Sequence, residues 1–303
     1  MAKYYATAAG LPNIAVEDKK LPFSTDEYLE ELQTVLTKKD KKLLDLFLWE
    51  KENKYLLQFL EDADKAYAEE DKPTLFSYRS IAKIVEALQD ENKPKLPKIK
   101  GLPKYFYTFI KEQISVKGED DDPDVKKKEK LTGVKAMDRL AQLFYDFALN
   151  CNNDFLKQWF ELNLNLKNIL AAHTAIKLGW EPKDYVVGNN SIAEKLKTSK
   201  QKDFGIKDEL DYLPEILKIA EESDITKRER MIDLLKWNWL EEACFVKVFD
   251  IERLICYYLQ LSIIERWVSL DEKTGEMTFR KIVTDLKAQS TDSLEEFKRN
   301  QKK

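Results

Sequence analysis

Glycine and proline are scarce. The 303 residues carry eight Gly and nine Pro, less than half of the about 12% that the two take together in an ordinary chain. Sandwiches, barrels and doubly wound sheets reverse direction often and place these residues at their turns. A chain with so few breaks is confined to long elements, and its apolar residues recur at three and four positions, so the elements are helices. The expected fold is all-α, several packed helical bundles with an extended N-terminal arm. With 43% hydrophobic residues there is material for a sizeable core, and the 35% that are charged suit solvated helix faces.

Charge narrows the partners. The 51 Lys and Arg against 55 Asp and Glu give a net charge of −4. Coating nucleic acid needs a basic excess, because phosphate contacts dominate that affinity, so no nucleic-acid partner is expected. No stretch approaches the roughly 18 apolar residues of a membrane span. The apolar run Tyr4 to Ala9 is too short for a secretory signal, and Asp18, Lys19 and Lys20 follow soon after. Cys151, Cys244 and Cys256 lie in apolar helical stretches and read as buried free thiols of a reducing cytoplasm.

Residues 1–23 lack a helical period, and an arm with a short strand at Tyr4 to Thr7 is expected. Ser24 and Glu27 have the spacing of a capping box and open a helix with Leu29, Leu32, Val35 and Leu36 on its face. Asp40 is expected to cap a second helical region reaching about Asp62, and Ser77 to Leu88 reads as a third. The stretch 91–103 holds three prolines and Gly101, so it is a connection. Tyr105, Phe106, Phe109 and Ile110 then line a short helix. Blocks of acid and base around Pro123 make 117–130 the best internal boundary. It would separate 1–116, the arm and first bundle, from 131–303, the second and third bundles.

Beyond it, a helix from Val134 carries Met137, Leu140, Phe144 and Phe147. Asn153 can cap a long helix over about 154–178, with Gly179 at its stop and Pro182 after it. Helices over about 214–222, 226–248 and 251–269 follow, then a short one near 278–287. The helices over 154–178 and 251–269 are apolar on several faces, the pattern of elements buried on most sides.

Chemistry is sparse. Neither G-x-x-x-x-G-K-[ST] nor G-x-G-x-x-G occurs. His173 is the single histidine and stands beside alanines on a buried helix, a packing position. Cys244 and Cys256 are too far apart in sequence for a zinc spacing, and Asp120 to Asp122 do not follow the EF-hand order. No cofactor, metal or catalytic set is expected. Two features exceed a plain core. Glu161, Asn163, Asn165, Lys167 and Asn168 interrupt the long apolar helix, and a stranded buried polar group costs about 1–3 kcal/mol, so they are expected to cross-link neighbouring helices. Glu265 and Arg266 end an equally apolar helix and suggest an internal ion pair. Asn165, Lys167, Glu265 and Arg266 are the expected structural cross-links.

The same stretches carry a resemblance. FELNLNLKNILAAHTAIKLG (160–179) is similar to the pattern in the C-type connector of V-type (V/A-type) ATPases, in which an acidic, apolar helix runs into Asn-Leu-Lys, two aliphatics and a helix-ending Gly. Here these are Asn165, Leu166, Lys167, Ile169, Leu170 and Gly179, with Ala171 where that family usually has Arg. YYLQLSIIERW (257–267) is similar to the family's C-terminal helix, where an apolar Tyr-Leu run leads to Glu and Arg. The opening KYYATAAGLP with a following S-x-x-E helix resembles an uncharacterised bacterial family encoded among the V-type ATPase genes, in the place of the C-type connector. The resemblance implies three similar bundles arranged as a funnel. WEKENKYLLQFL (49–60), with Asn53 before aliphatics, resembles the Asn165 region with the spacing off by one.

It also implies a mechanical role without chemistry: a cytoplasmic piece that sits on the membrane rotor ring, receives the central shaft and transmits torque. Membrane association would come only through that complex, at the inner face. Two other readings stay open, a helical adaptor with an unrelated partner and an enzyme with a helical core that uses His173 or the acidic residues.

Overall fold

Ser24 starts the first long helix as its spacing predicts. Its Oγ accepts from the Glu27 backbone N–H at 3.2 Å, and Glu27 Oε2 accepts from the Ser24 N–H at 2.7 Å, so two donors at the helix end are satisfied reciprocally. The structure is a computed structural model that describes residues 3–69, 71–90, 92, 95–114, 130–199, 201, 203–271, 274 and 277. In chain order the helices are α1 (Tyr5–Ala9), α2 (Thr25–Val35), α3 (Lys38–Glu61), α4 (Ala63–Ala68), α5 (Tyr78–Gln89), α6 (Lys104–Ile114), α7 (Gly133–Leu149), α8 (Asp154–Lys177), α9 (Ser191–Thr198), α10 (Leu213–Glu221) and α11 (Ile225–Cys244). A helix α12 covers 251–271, and a 3₁₀ turn at Pro182–Asp184 lies between α8 and α9. Among the described residues there is no strand, and the fold is all-α.

Two local expectations are corrected. Tyr5–Ala9 is a short helix, not a strand. Three of its five residues are alanine, the best helix former, and the buried Tyr4 just before it donates its N–H to the Phe249 carbonyl at 2.8 Å. Asp40 does not cap α3. Thr37 does, accepting from the Asp40 N–H at 3.2 Å, which moves the start back by about one turn. The Asp40 carboxylate in turn accepts from the Thr37 hydroxyl at 2.8 Å.

The chain divides into two compact units, one made of Met1–Leu36 with Asp233–Lys303, the other of Thr37–Ile232. The expected boundary at 117–130 falls almost wholly outside the described residues, and α6 and α7 on either side of it belong to the same unit. The short helix expected near 278–287 also lies outside the described residues.

In the larger unit α8 is the axis, with α7, α9, α10 and the 3₁₀ turn against it. Asn153 caps it, accepting from the Leu156 N–H at 3.0 Å. Its Phe160 ring lies 5.2 Å from Phe47 of α3 and 5.6 Å from Phe144 of α7. Along α7 the buried stripe is Ala136, Leu140, Phe144 and Ala148, whereas Met137 is exposed. The smaller unit is built around α12. Over residues 251–267, Arg253, Ser262, Glu265 and Arg266 are the ones not buried, as its all-round apolar pattern predicts. Tyr257 meets Tyr28 of α2 edge-on at 5.2 Å.

Candidate functional site

Polar residues on α12 hold the smaller unit together. Glu265 reaches the first turn of α2, where its Oε1 accepts from the Thr25 N–H at 3.0 Å and its Oε2 from the Thr25 hydroxyl. A carboxylate there completes the capping of α2 and complements the positive end of the helix dipole. Arg266 pairs with Asp233 of α11, which also accepts from Trp267 Nε1 at 2.6 Å. Glu265 and Arg266 therefore do not form the one ion pair expected. Neighbours on a helix point about 100° apart, so each turns to a different element. Asp233 is buried, and the Arg266 side chain is 43% exposed. Lys3 meets Asp250 at 2.5 Å just ahead of α12.

Polar residues on α8 play the same part in the larger unit. Asn168 is fully buried and makes a two-way bond with one backbone position, Nδ2 to the Val187 carbonyl at 2.7 Å and Oδ1 from the Val187 N–H at 2.9 Å. Asn165 Nδ2 donates to the Tyr212 hydroxyl at 3.0 Å, while its buried Oδ1 has no partner among the described residues. Lys167 reaches Asp138 of α7 at 3.0 Å on a partly exposed edge. Asn163 bonds within its own helix, to the Trp159 carbonyl, and Glu161 is exposed.

Sequence reasoning passes over Glu52. This buried carboxylate on α3 accepts from the Thr74 N–H at 2.9 Å, the Thr74 hydroxyl at 2.8 Å and the Leu75 N–H at 3.3 Å. It fixes the approach to α5, and nothing in its sequence surroundings marks it. Asp233 escapes notice for the same reason.

The thiols are quiet. Cys244 Sγ donates to the Glu252 carbonyl at 3.5 Å and Cys256 Sγ to the Leu240 carbonyl at 3.4 Å. The neighbouring Cys256 thiol, together with burial, holds the Cys244 thiol well above the usual range, so it stays protonated and unreactive. Cys151 is half-buried rather than buried. His173 is half-buried on α8.

Two of the places where apolar side chains are exposed stand out as surfaces. The segment after α11 presents Phe245 at 85% and Val246 at 77% exposure, with Val248 also exposed. In the larger unit, the C-terminal end of α8 and the start of α11 flank an open cleft of about 300 Å³. Its end wall is Trp180, 51% exposed and stacked on Tyr185 at 5.4 Å. Gly179, at φ +73°, places Trp180 there: the Gly179 N–H reaches the Ile176 carbonyl and the Trp180 N–H the Ala175 carbonyl at 2.8 Å, the paired bonds of a Schellman stop. Among the described residues, no helix is long and apolar enough to cross a membrane.

A family model described as "Protein of unknown function (DUF2764)" matches residues 1–290. The chain belongs to the DUF2764 family. No curated protein and no solved structure matches it.

Proposed function

We propose that this DUF2764 protein is a non-catalytic connector of a V-type rotary ATPase, joining the membrane rotor ring to the central shaft and transmitting torque between them. One observation supports the reading above the rest. Four of the residues through which the chain resembles the C-type connector tie its two long buried helices to other elements: Asn165 and Lys167 on α8, alongside Asn168, and Glu265 and Arg266 on α12. Helices cross-linked at polar points resist sliding where a slip strands a buried group, here Asn165 and Asp233, at a cost of about 1–3 kcal/mol each. A torque-bearing part needs such stiffness together with separate docking surfaces. Each unit offers an exposed apolar surface, the 245–248 segment in one and the α8–α11 cleft in the other. In this reading the protein works at the cytoplasmic face of the membrane, held there by its complex, and its bundles follow the pseudo-threefold plan that the resemblance implies.

The test is affinity purification of the tagged full-length chain from detergent-solubilised membranes of the source organism. V-type ATPase components recovered in fixed proportion to the bait are the expected result. Recovery of folded bait without them overturns the proposal.

A further inference from the structure

The α8–α11 cleft is built as a groove for a helix. Leu170 and Thr174 line it from α8, and Leu178 follows them at the same i, i+4 spacing on that face. Arg228 and Ile232 line it from α11, and Ile225 lies one turn before Arg228 on the same stripe. Leu178 and Ile225 are 53% and 67% exposed, so both rows run on past the cleft and end in apolar side chains that face solvent. The small side chains of Ala171, Ala175 and Ala220 also line it, which lets an incoming backbone approach closely. A small molecule filling about 300 Å³ would leave the exposed ends of both stripes wet. A helix laid between them covers the whole surface.

Charge decides what kind of helix. Arg228 and Glu229 are the two charged residues in the lining. Glu229 already has an interaction within the fold, whereas the Arg228 guanidinium has no partner among the described residues. Beside it lie apolar side chains and the Trp180–Tyr185 pair, a setting in which a bidentate carboxylate bond is stronger than in open water.

We propose that this groove binds an amphipathic helix of a partner protein, its apolar face seated on the alanines against Trp180 and an Asp or Glu at its edge paired with Arg228. The inference rests on the groove itself and stands whether or not the connector reading holds.

The experiment selects a displayed library of amphipathic helical peptides on the immobilised full-length chain. A Thr174→Trp variant, whose indole fills the cleft from an exposed position, serves for counter-selection, and circular dichroism of each variant verifies its fold. The expected result is enrichment of helices with apolar i, i+3, i+4 spacing and a flanking acid. Their binding should weaken at least tenfold in Arg228→Glu and should be recovered, in that variant, by replacing the peptide's acid with Lys. Lack of enrichment over Thr174→Trp, enrichment of helices without the acid, or affinity indifferent to Arg228→Glu each overturns the proposal. So does concentration-dependent self-association of the chain, or binding to lipid vesicles, that Thr174→Trp abolishes, because the groove would then serve a second copy or a membrane.

Discussion

Removing Arg266 takes from the buried Asp233 carboxylate its charged partner. Asp233 is about 5% exposed and takes hydrogen bonds from Arg266 and from Trp267 Nε1. Breaking a fully buried ion pair from one side costs about 3–5 kcal/mol. Here the guanidinium is 43% exposed, so water screens the pair and reaches the site once the arginine is gone. The Trp267 bond also survives. Both facts lower the expected cost of Arg266→Ala to about 1.5–3 kcal/mol, the range of a hydrogen bond to a charged group. For a chain of 303 residues that is a fall of about 2–5 °C in the midpoint of thermal unfolding. Repeating the substitution in an Asp233→Asn background isolates the cause. With no charge to strand, the same arginine removal should cost about 1 kcal/mol or less, a coupling energy readable from the four midpoints. An unchanged midpoint for Arg266→Ala, or equal losses in the two backgrounds, would refute the claim that this pair fixes α12 to α11.

Three further substitutions probe other elements. Gln113 on α6 is buried with neither amide atom partnered among the described residues, so Gln113→Met should stabilise the protein by about 1–2 kcal/mol; a lower urea midpoint would show that the amide contributes to the fold. Gly179→Ala adds a Cβ that meets no atom but forces φ +73° on an alanine, which should cost about 1 kcal/mol and shift the Trp180 fluorescence, and an unaltered spectrum and stability would contradict the Schellman role. The bonds from Ser24 hold the Glu27 carboxyl below its usual value of 4.5. A depressed carboxyl stabilises the fold above its unfolded pKa and loses that effect as pH falls through the folded one, so the stability gap between wild type and Glu27→Ala should be widest at pH 7 and close on acidification; a gap that widens in acid would reverse the argument.

Helix identity was largely legible, because it rests on period and caps that are local. Ser24, Ser77, Asn153 and Gly179 all act at the helix ends where their types and neighbours put them. The errors at Tyr4 to Thr7 and at Asp40 arose where two local signals competed, alanine content against a β-branched and aromatic run, and one capping residue against another three positions away. The cross-links were legible as a need but not as pairs. A buried asparagine or glutamate announces that it wants a partner, yet Thr25 for Glu265 and Asp233 for Arg266 come from distant parts of the chain. The groove was hidden for a similar reason. Its two stripes are unremarkable on α8 and α11 separately, and only their juxtaposition sets Arg228 beside an apolar cleft.

The connector reading is tested most directly by energy coupling in membrane vesicles. Vesicles from cells lacking this protein should hydrolyse ATP through the V-type head without moving ions, and adding back the purified chain should restore ATP-driven ion transport. Ion transport that proceeds at the wild-type rate in its absence would contradict the account.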